Sequence, residues 1–462
     1  MDTQPPAPAL AGGGAPPGWR RRVATAAVMS ALVINGIEGT AITGVMPAVA
    51  REFGDASLYP WLFTGFLAAS AAAVPVAGAL GDRYGRRPVF AAGMALFLGA
   101  SALAALAPSM PALVAARALQ GLGAGVLSPL VTTLSADLYP LRERAKVQGL
   151  FTGAWGAANV GGPFAAAWLV ERLSWRWVFG LALPFGVASV ALLWAAGLAR
   201  PGGPAPRRLE LGGSAWLAGS TGALLLALDP HFGVGAAGRA ALLALAAGGA
   251  LAFARHQQHS ASPFLPPGRL GEPLVRAGLG ASLLAGALLY ALTAYVPLWV
   301  ADSYEGGARA AGAALVPLLG GWALGSTFGV RALVRWGAGR VVLAGFAMAG
   351  LGLFALAWLA RSGGTLGAAA AALAFAGAGL GPAANAPLLR LQERAAWHER
   401  AAMTSAVQAA RTLGGSLAVG LAAALPAGPD RFAALAWTLA LALPALAWGF
   451  RGAEAAERPA RA

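Results

Sequence analysis

Long apolar runs alternate with short polar segments along almost the entire chain. If about 20 apolar residues make one membrane crossing, the pattern predicts fourteen helical spans, near residues 24–49, 59–80, 88–107, 112–137, 146–170, 177–198, 213–229, 239–255, 274–300, 309–332, 340–360, 365–386, 402–425 and 432–450. The seventh and eighth runs are short, and the sequence leaves open whether they cross the membrane or lie on its surface. The predicted fold class is all-α and integral to a membrane.

The composition agrees with this prediction and excludes several classes of protein. Hydrophobic residues make up 58% of the chain and charged residues 11%, which is more apolar surface than a soluble domain of this length can bury. The absence of cysteine excludes disulfides, thiol catalysis and thiolate metal sites. The sequence shows no Ser/His/Asp set, phosphate-binding loop or metal-ligand spacing. We therefore expect no enzyme activity, no ATP-driven pumping, no metal and no cofactor.

Positive charge is distributed unevenly between the two sides of the predicted spans. A net charge of +15 would indicate a nucleic-acid partner in a soluble protein. Here most arginines lie in short loops between apolar runs, so membrane topology explains them and no nucleic acid is expected. With both termini cytoplasmic, 24 of the 33 basic residues lie on the cytoplasmic side, seven lie outside and two lie within spans. This bias predicts the orientation in the cell membrane, but not the number of spans.

The chain is expected to contain two pseudo-symmetric six-helix bundles joined by two central linker helices. Shifted by 252 residues, RYGRRPV falls on RWGAGRV at Arg335–Val341, so Arg83 matches Arg335 and Gly85 matches Gly337. Such repeats are typical of secondary transporters with a site between the halves. The predicted organisation is a disordered cytoplasmic tail (1–22), a six-helix bundle (23–198), a cytoplasmic linker with two extra transmembrane helices (199–256), a second six-helix bundle (257–450) and a cytoplasmic tail (451–462).

The segment GALGDRYGRRPVF at Gly78–Phe90 is a charged loop between two apolar runs. Its glycines, Gly81 among them, are expected to let two helices turn tightly at a membrane edge. The segment resembles the cytoplasmic signature between helices two and three of the major facilitator superfamily. The residues that carry the resemblance, and that it implies for a cytoplasmic gate, are Gly78, Asp82, Arg83, Gly85, Arg86 and Arg87.

Four further segments extend the resemblance. RALQGLGAG from Arg117 is similar to the fourth-helix signature of proton-coupled members, and WRWVFGLALPFG from Trp175 resembles the sixth helix of drug exporters. RTLGGSLAVG from Arg411 resembles the thirteenth helix of the fourteen-span drug:proton antiporter group. GAANVGGPF is similar to the fifth-helix antiporter signature, which points to Gly156, Gly161, Gly162 and Pro163, with alanines at 166 and 167 where the pattern usually has two more glycines.

The resemblance implies proton-coupled export of small hydrophobic or cationic compounds by alternating access. The proton gradient is then the energy source, and the partners are the substrate, protons and membrane lipids. We expect the protein to act as a monomer. The alternatives are an exporter of lipids or of a dedicated natural product or metabolite, with or without proton coupling, and a non-transporting membrane receptor or scaffold.

Glu38 is the candidate proton site, because it alone among the acids lies deep within a predicted span. A carboxylate at that depth is costly unless it is paired, protonated or hydrated, and burial raises a carboxyl pKa. Arg117 is its expected partner, since spans one and four share the bundle interior. The alternative for Glu38 is a static ion pair, and for Arg117 a brace through backbone carbonyls. Arg411 is interpreted as a brace on the cytoplasmic side.

The gate residues Asp82, Arg83, Arg86 and Arg87 are expected to form a latch, in which the Asp82 carboxylate accepts hydrogen bonds from a helix N-terminus or an arginine. The alternative is simple anchoring of the topology by positive charge. Two sets of glycines are expected to permit close helix approach or to serve ordinary packing, namely Gly121, Gly123 and Gly125 in span four and Gly156, Gly161 and Gly162 in span five. Pro163 is expected to kink span five.

A binding cavity needs apolar walls with a few polar groups. The candidates in the first half are Asn35, Trp61, Phe66, Trp155 and Asn159, and in the second half Tyr290, Tyr295, Trp299 and Asn385. Aromatic residues at span ends are often interfacial anchors, and this alternative is strongest for Trp61 and Trp299. Tyr290 falls on Glu38 under the 252-residue shift.

Overall fold

The computed structural model describes residues 18–54, 58–139, 141–197, 211–229, 233–260, 267–304, 310, 312–395, 400–423, 425 and 429–457. In these ranges the regular secondary structure is entirely helical. The helices are α1 (Gly18–Phe53), α2 (Tyr59–Tyr84), α3 (Arg86–Ala105), α4 (Met110–Leu138), α5 (Leu141–Arg172), α6 (Arg176–Gly180), α7 (Ala182–Ala195), α8 (Leu211–Leu228), α9 (Ala236–His259), α10 (Pro267–Leu270), α11 (Pro273–Ser303), α12 (Leu315–Trp336), α13 (Ala338–Ser362), α14 (Leu366–Arg394), α15 (Arg400–Ala423) and α16 (Pro429–Glu457).

Nine helical segments in the described ranges are long and apolar enough to cross a membrane, against the fourteen predicted. They are Tyr59–Gly78, Arg86–Ala105, Met110–Val131, Arg176–Ala195, Ala236–His259, Pro273–Ser303, Ala338–Ser362, Leu366–Arg394 and Asp430–Phe450. The helix at 211–228 is apolar but shorter. Others, such as α5 and α15, carry arginines, glutamines and other polar residues, which lower their apolar character. These helices indicate a multi-pass membrane protein.

Several predicted boundaries differ from the observed ones. Helix α1 begins at Gly18, inside the predicted tail 1–22, because Arg21 packs its guanidinium over the Tyr139 ring at 5.0 Å and holds this end in place. Helix α16 continues to Glu457, into the predicted tail 451–462. The sixth predicted span is divided at Leu181 into α6 and α7. Residues 1–17, most of the linker at 199–212 and residues 458–462 lie outside the described residues.

The predicted loop at Gly78–Phe90 is almost wholly helical. Helix α2 runs through Gly78 and Gly81 to Tyr84, and α3 begins at Arg86, so the turn consists of Gly85 alone. Gly85 has φ +90° and ψ 149°, and the repeat-related Gly337 has φ +81° and ψ 162° between α12 and α13. A side chain is strained at such angles, so both halves use glycine for the same turn.

Helix packing repeats between the halves under the 252-residue shift. In the first half α1 packs on α5 and α7, and both α2 and α3 pack on α4. In the second half α11 packs on α15 and α16, and both α12 and α13 pack on α14. The halves meet where α2 contacts α15, α5 contacts α12 and α1 contacts α11. Helices α8 and α9 pack on each other, and α8 also contacts α2 and α15.

Small residues set the close spacing within each half. A Cβ at Gly121 would lie 2.2 Å from the carbonyl oxygen of Phe66, and a Cβ at Gly377 would lie 2.0 Å from that of Leu318. Phe66 and Leu318 are related by the 252-residue shift. Backbones that approach this closely exclude any side chain at the contact. In both halves, therefore, a glycine allows the close packing of two helices, α4 on α2 and α14 on α12.

We call the end of the bundle where α1 finishes and α2 begins the distal end, and the end where α2 finishes and α3 begins the proximal end. The distal end includes Phe53 and Tyr59, and the proximal end includes Gly85.

Candidate functional site

A buried polar cluster joins α1 and α4. Nη1 of Arg117 donates hydrogen bonds to Oε1 of Glu38 and, at 2.5 Å, to Oε1 of Gln120. Nε2 of Gln120 donates to Oγ of Ser101 at 2.8 Å, and this hydroxyl donates to the carbonyl oxygen of Phe97 at 2.9 Å. The cluster therefore forms a continuous chain of hydrogen bonds from the deep acid on α1 to the backbone of α3.

The ion pair between Glu38 and Arg117 is almost completely enclosed. Glu38 is 7% exposed and Arg117 2%. Nε of Arg117 also donates to the carbonyl oxygen of Leu62 at 3.2 Å, and its guanidinium lies 4.4 Å from the ring centroid of Phe66. A buried pair is tolerated only when its remaining donors are satisfied, and α2 supplies both an acceptor and an aromatic face.

Local sequence explains how Arg117 and Gln120 come together. They are three residues apart on α4 and share one face of that helix. Gly121 and Gly125 bring the same helix against α2. Gln120 was not selected from the sequence, although its spacing from Arg117 within RALQGLGAG was a signal for it.

Three of the five first-half cavity candidates, Asn35, Trp155 and Asn159, lie along the contact between α1 and α5, whereas Trp61 and Phe66 lie on α2. Nε1 of Trp155 donates to Oδ1 of Asn35 at 3.4 Å, and Nδ2 of Asn159 donates to the carbonyl oxygen of Trp155 at 2.7 Å. A Cβ at Gly36 would lie 2.8 Å from Cβ of Ala158, so the helices touch here. Asn35 is exposed, whereas Asn159 is 3% exposed. The structure brings these three candidates together on one helix pair.

The second-half candidates are divided between two environments. Tyr290 packs on α15, where a Cβ at Gly415 would lie 2.3 Å from its ring, and Nδ2 of Asn385 donates to Oγ of Ser326 at 3.0 Å. Trp299 is 6% exposed and contacts the ring of Phe432 with centroids 5.4 Å apart. The interpretation of Trp299 as an interfacial anchor is therefore wrong, since α16 covers its ring.

The gate residues are only partly described. Nη2 of Arg87 donates to the carbonyl oxygen of Trp194 at 3.0 Å, at the C-terminal end of α7, where a cation is favoured. Arg83 is exposed and stacks over the ring of Tyr84 at 5.3 Å. Arg86 is partly buried near Gly81. The side chain of Asp82 lies outside the described residues, so the predicted latch stays a prediction.

Two glycines of the fifth-helix signature, Gly156 and Gly161, do not lie at tight contacts. A Cβ at Gly161 would meet nothing within 4 Å, and one at Gly156 would lie 4.0 Å from Cβ of Ala323 on α12. Gly162 is buried. Pro163 lies inside the continuous helix α5, and a Cβ at Gly312 would lie 3.1 Å from its Cβ. Close approach by Gly156 and Gly161 is therefore absent in this arrangement, in contrast to Gly121, Gly123 and Gly125.

Two hydrogen bonds between described residues join α2 to the second half at the distal end. The Tyr59 hydroxyl on α2 donates to the carbonyl oxygen of Ala294 on α11 at 2.6 Å. The Ser416 hydroxyl on α15 donates to the carbonyl oxygen of Thr64 on α2 at 3.1 Å. We call these contacts the distal seam. They close the distal end of the interface between α2 and the second half.

Helix α8 is tied to the same seam. Nε1 of Trp61 donates a hydrogen bond to Oδ2 of Asp229, which directly follows α8 and is 5% exposed. Nearby, the Tyr295 hydroxyl donates to the carbonyl oxygen of Val419 at 2.7 Å, and Arg431 lies over the Tyr295 ring at 4.4 Å. Trp61 thus binds a carboxylate within the protein, in a contact that the sequence did not predict.

A surface ion pair links α1 to α6 at the distal end. Glu52 lies beyond the predicted span 24–49 and accepts hydrogen bonds from Nε1 of Trp175 at 2.6 Å and Nη1 of Arg176 at 2.7 Å. The indole first, and then the guanidinium, hold the pKa of Glu52 below its ordinary value of about 4.5. The folded state is therefore favoured by the ionised carboxylate.

Replacing Glu52 by Gln is expected to lower the free energy of unfolding slightly at neutral pH and to have no effect in strong acid, where the Glu52 carboxyl is protonated. The pKa of Glu52 is lower in the folded protein than in the unfolded chain. Such a group stabilises the folded state at pH values above its unfolded-state pKa, and this stabilisation is lost as the pH falls through its folded-state pKa. Because the Arg176 and Glu52 side chains are 34% and 43% exposed, the loss should not exceed about 1 kcal/mol. Thermal unfolding of both proteins, followed from neutral pH into the acid range, checks this. A difference that persists in strong acid contradicts it.

Comparison with known proteins agrees with a membrane-transport fold. The multidrug transporter protein MdtP of Bacillus subtilis is 28% identical over 404 residues, which cover 87% of this chain and 74% of that protein. The uncharacterized MFS-type transporter Rv1877 of Mycobacterium tuberculosis is 32% identical over 350 residues, which cover 74% of this chain and 50% of that protein. The match therefore spans about half the length of the mycobacterial relative.

Two solved structures share the fold at low sequence identity. The xylose transporter XylE from E. coli, in a partially occluded inward-open conformation, has a TM-score of 0.64 at 16% identity, covering 92% of this chain and 98% of that one. An auto-inhibited POT family peptide transporter has a TM-score of 0.68 at 14% identity, covering 96% and 99%.

The family follows from the sequence as well as from the fold. A sequence model described as Major Facilitator Superfamily matches residues 28–419, which is most of the chain. The relatives and the fold indicate a transporter rather than an enzyme. The chain belongs to the Major Facilitator Superfamily.

Proposed function

We propose that this protein is a proton-coupled exporter of small hydrophobic compounds, of the fourteen-span drug:proton antiporter type. The observation that carries the proposal is the enclosed ion pair between Glu38 and Arg117 inside a bundle of membrane-length helices. An ionisable pair in that position is costly to retain and is usually functional. The similarity to MdtP, named a multidrug transporter, supports an exporter of this kind.

The organisation that we propose has two six-helix bundles, with α8 and α9 as two additional spans between them. The proximal end faces the cytoplasm, with both termini, because most basic residues lie on that side. The distal end then faces the outside of the cell membrane, and the distal seam is the closed outer gate. Gly85 and Gly337 give each half a rigid turn on the cytoplasmic side.

In the proposed mechanism Glu38 takes up a proton from the outer side of the membrane and releases it to the cytoplasmic side. When Glu38 is ionised, it satisfies Arg117 and holds α1 against α4. When Glu38 takes up a proton, its attraction for Arg117 weakens, because a neutral carbonyl oxygen replaces the carboxylate beside the other two acceptors, Oε1 of Gln120 and the carbonyl oxygen of Leu62. Because a buried cation without its carboxylate is unfavourable, the protonated state favours a different packing of α1 on α4. Substrate release on the outer side completes the exchange.

Reconstitution tests the proposal directly. Proteoliposomes that hold a trapped pH-sensitive dye receive an imposed proton gradient and then a panel of small hydrophobic cations, neutral antibiotics and organic acids. We expect at least one of these to trigger proton movement that protein-free liposomes and an uncoupler control do not show. Substrate transport that ignores the gradient would instead favour an exporter of lipids or of a dedicated natural product without proton coupling.

A further inference from the structure

Arg411 is a second deeply placed cation, and the mechanism above does not use it. It lies midway along α15, between Arg400 and Ala423. A brace at the cytoplasmic end of the span, as expected from the sequence, would lie nearer Arg400. A cation in the middle of a membrane-length helix is costly unless a partner is provided. The groups around Arg411 therefore indicate its role.

The guanidinium of Arg411 has few partners. Within the described part of the chain, its side-chain hydrogen bond runs from Nη2 to the carbonyl oxygen of Ala384 on α14, at 2.7 Å. Its Nε is buried and has no hydrogen-bond partner. A guanidinium has five N–H donors, and one carbonyl oxygen satisfies only part of this capacity. None of the described carboxylates forms an ion pair with it.

Other hydrogen-bonding groups converge on the same place. The ring of Tyr290 on α11 packs against Gly415, one helical turn from Arg411 on α15, and its hydroxyl makes no hydrogen bond to a described residue. Asn385 directly follows the residue that accepts the Arg411 bond. The backbone of Arg411 is held rigidly, because a Cβ at Gly286 would lie 1.9 Å from its carbonyl oxygen. The partly unsatisfied Arg411 guanidinium and the Tyr290 hydroxyl therefore lie on two helices, α15 and α11, whose backbones are in close contact.

Among the described residues, the charge deep within the spans is positive. The charged side chains found there are Glu38, Arg117 and Arg411. Glu38 and Arg117 neutralise each other, so the charge of Arg411 is not balanced. In a low-dielectric interior this charge attracts anions and repels cations much more strongly than in water.

The repeat strengthens the contrast between the halves. Under the 252-residue shift, Glu38 on α1 falls on Tyr290 on α11, and Asn159 on α5 falls on Arg411 on α15. In the first half, α1 and α5 carry a carboxylate and an amide at these positions. In the second half, the equivalent helices α11 and α15 carry a phenol and a guanidinium. The first half holds the ion pair, and the second half offers a cation and a hydroxyl donor.

We propose that Arg411 and Tyr290 bind an oxyanion of the substrate, so that the exported compounds are hydrophobic molecules bearing a carboxylate, sulfonate or phosphate group. This inference rests on the proposed export function and names its substrate class. An oxyanion supplies the acceptors that the guanidinium lacks, in charge-assisted hydrogen bonds. Lipophilic cations, which the family resemblance implied, are disfavoured by the same charge.

The test compares three probes that share one naphthalene body. They are 1-naphthoate, 1-naphthylmethylammonium and the neutral 1-naphthalenemethanol, and their binding to the purified full-length protein is measured by equilibrium dialysis against matched detergent. We expect 1-naphthoate to bind at least about tenfold more tightly than either other probe, which corresponds to one charge-assisted hydrogen bond. This selectivity of the wild-type protein requires no variant.

Substitutions of Arg411 test whether this residue causes the preference for 1-naphthoate. Arg411→Gln should lower the affinity for 1-naphthoate by at least about tenfold and leave that for the alcohol unchanged, while Arg411→Lys should keep most of the preference. Arg331→Gln, an exposed arginine on α12, is the matched control, and thermal unfolding verifies that each variant is folded.

The inference is overturned if the ammonium or the alcohol binds as tightly as 1-naphthoate, if no probe binds, or if Arg411→Gln binds 1-naphthoate as the wild type does. Binding is measured without a gradient, so it does not depend on proton coupling. Carboxylate selectivity without any substrate-driven proton movement in proteoliposomes would remove the proposed antiport and leave the anion site standing.

Discussion

Replacing Glu38 by Gln should abolish substrate-driven proton movement in proteoliposomes, with a loss of at least about 100-fold in its initial rate, which corresponds to roughly 3 kcal/mol in activation free energy. Gln has nearly the same shape as the protonated, neutral Glu38 and still offers an amide oxygen to Arg117, so the variant should fold and resemble the protonated state. It cannot take up or release a proton. The measurement is the initial rate of dye response after substrate addition under an imposed gradient.

The control for Glu38→Gln removes a carboxylate elsewhere. Glu393 forms an ion pair with Arg390 at 2.8 Å, and its side chain is 69% exposed. Glu393→Gln should leave both the coupled rate and the unfolding temperature close to the wild-type values, since exposed pairs contribute little. If Glu38→Gln retains full proton movement while Arg117→Gln unfolds the protein, the pair is a structural brace and the coupling role is wrong.

Replacing Gly286 by Ala should destabilise the second half strongly. The added Cβ would lie 1.9 Å from the carbonyl oxygen of Arg411, and the neighbouring contact is equally tight, since a Cβ at Gly414 would lie 1.9 Å from the carbonyl oxygen of Leu283. Helices α11 and α15 must separate to admit a methyl group. We expect a loss of about 3 kcal/mol or more, at the upper end of the cost of overpacking, measured as a lower unfolding temperature in detergent.

A second glycine on the same helix provides the control. A Cβ at Gly280 would meet only Cδ2 of Leu446, at an ordinary 3.6 Å. Gly280→Ala should therefore be neutral or slightly stabilising, because alanine is favoured over glycine within helices by about 0.5–1 kcal/mol. Equal unfolding temperatures for the two variants would show that α11 and α15 do not pack as closely as described.

The sequence predicted the parts of the structure that are encoded locally. Apolar runs of helical length predicted the helices, and the spacing of Gly85 and Gly337 predicted a turn used twice. Glu38 and Arg117 could be proposed as partners because few ionisable residues lie deep in the spans. In each of these cases composition or spacing within a short stretch carries the signal.

The contacts that the sequence missed join distant helices. Trp61 and Asp229 are 168 residues apart, and an aromatic residue at a span end reads equally well as an interfacial anchor. The sequence left the alternative of an interfacial anchor open for Trp299 for the same reason, since only the packing of α16 shows that its ring is covered. The mid-helix position of Arg411 and its lack of an acidic partner likewise depend on helix boundaries and tertiary neighbours.

The bond between Trp61 and Asp229 has a consequence for any attempt to shorten the chain. Asp229 follows α8, and the bond fastens α8 to α2 at the same end as the distal seam. Excising residues 199–256 would therefore remove the carboxylate that accepts a hydrogen bond from the Trp61 indole, so α8 contributes to the packing of the distal end and is more than a connection between two bundles.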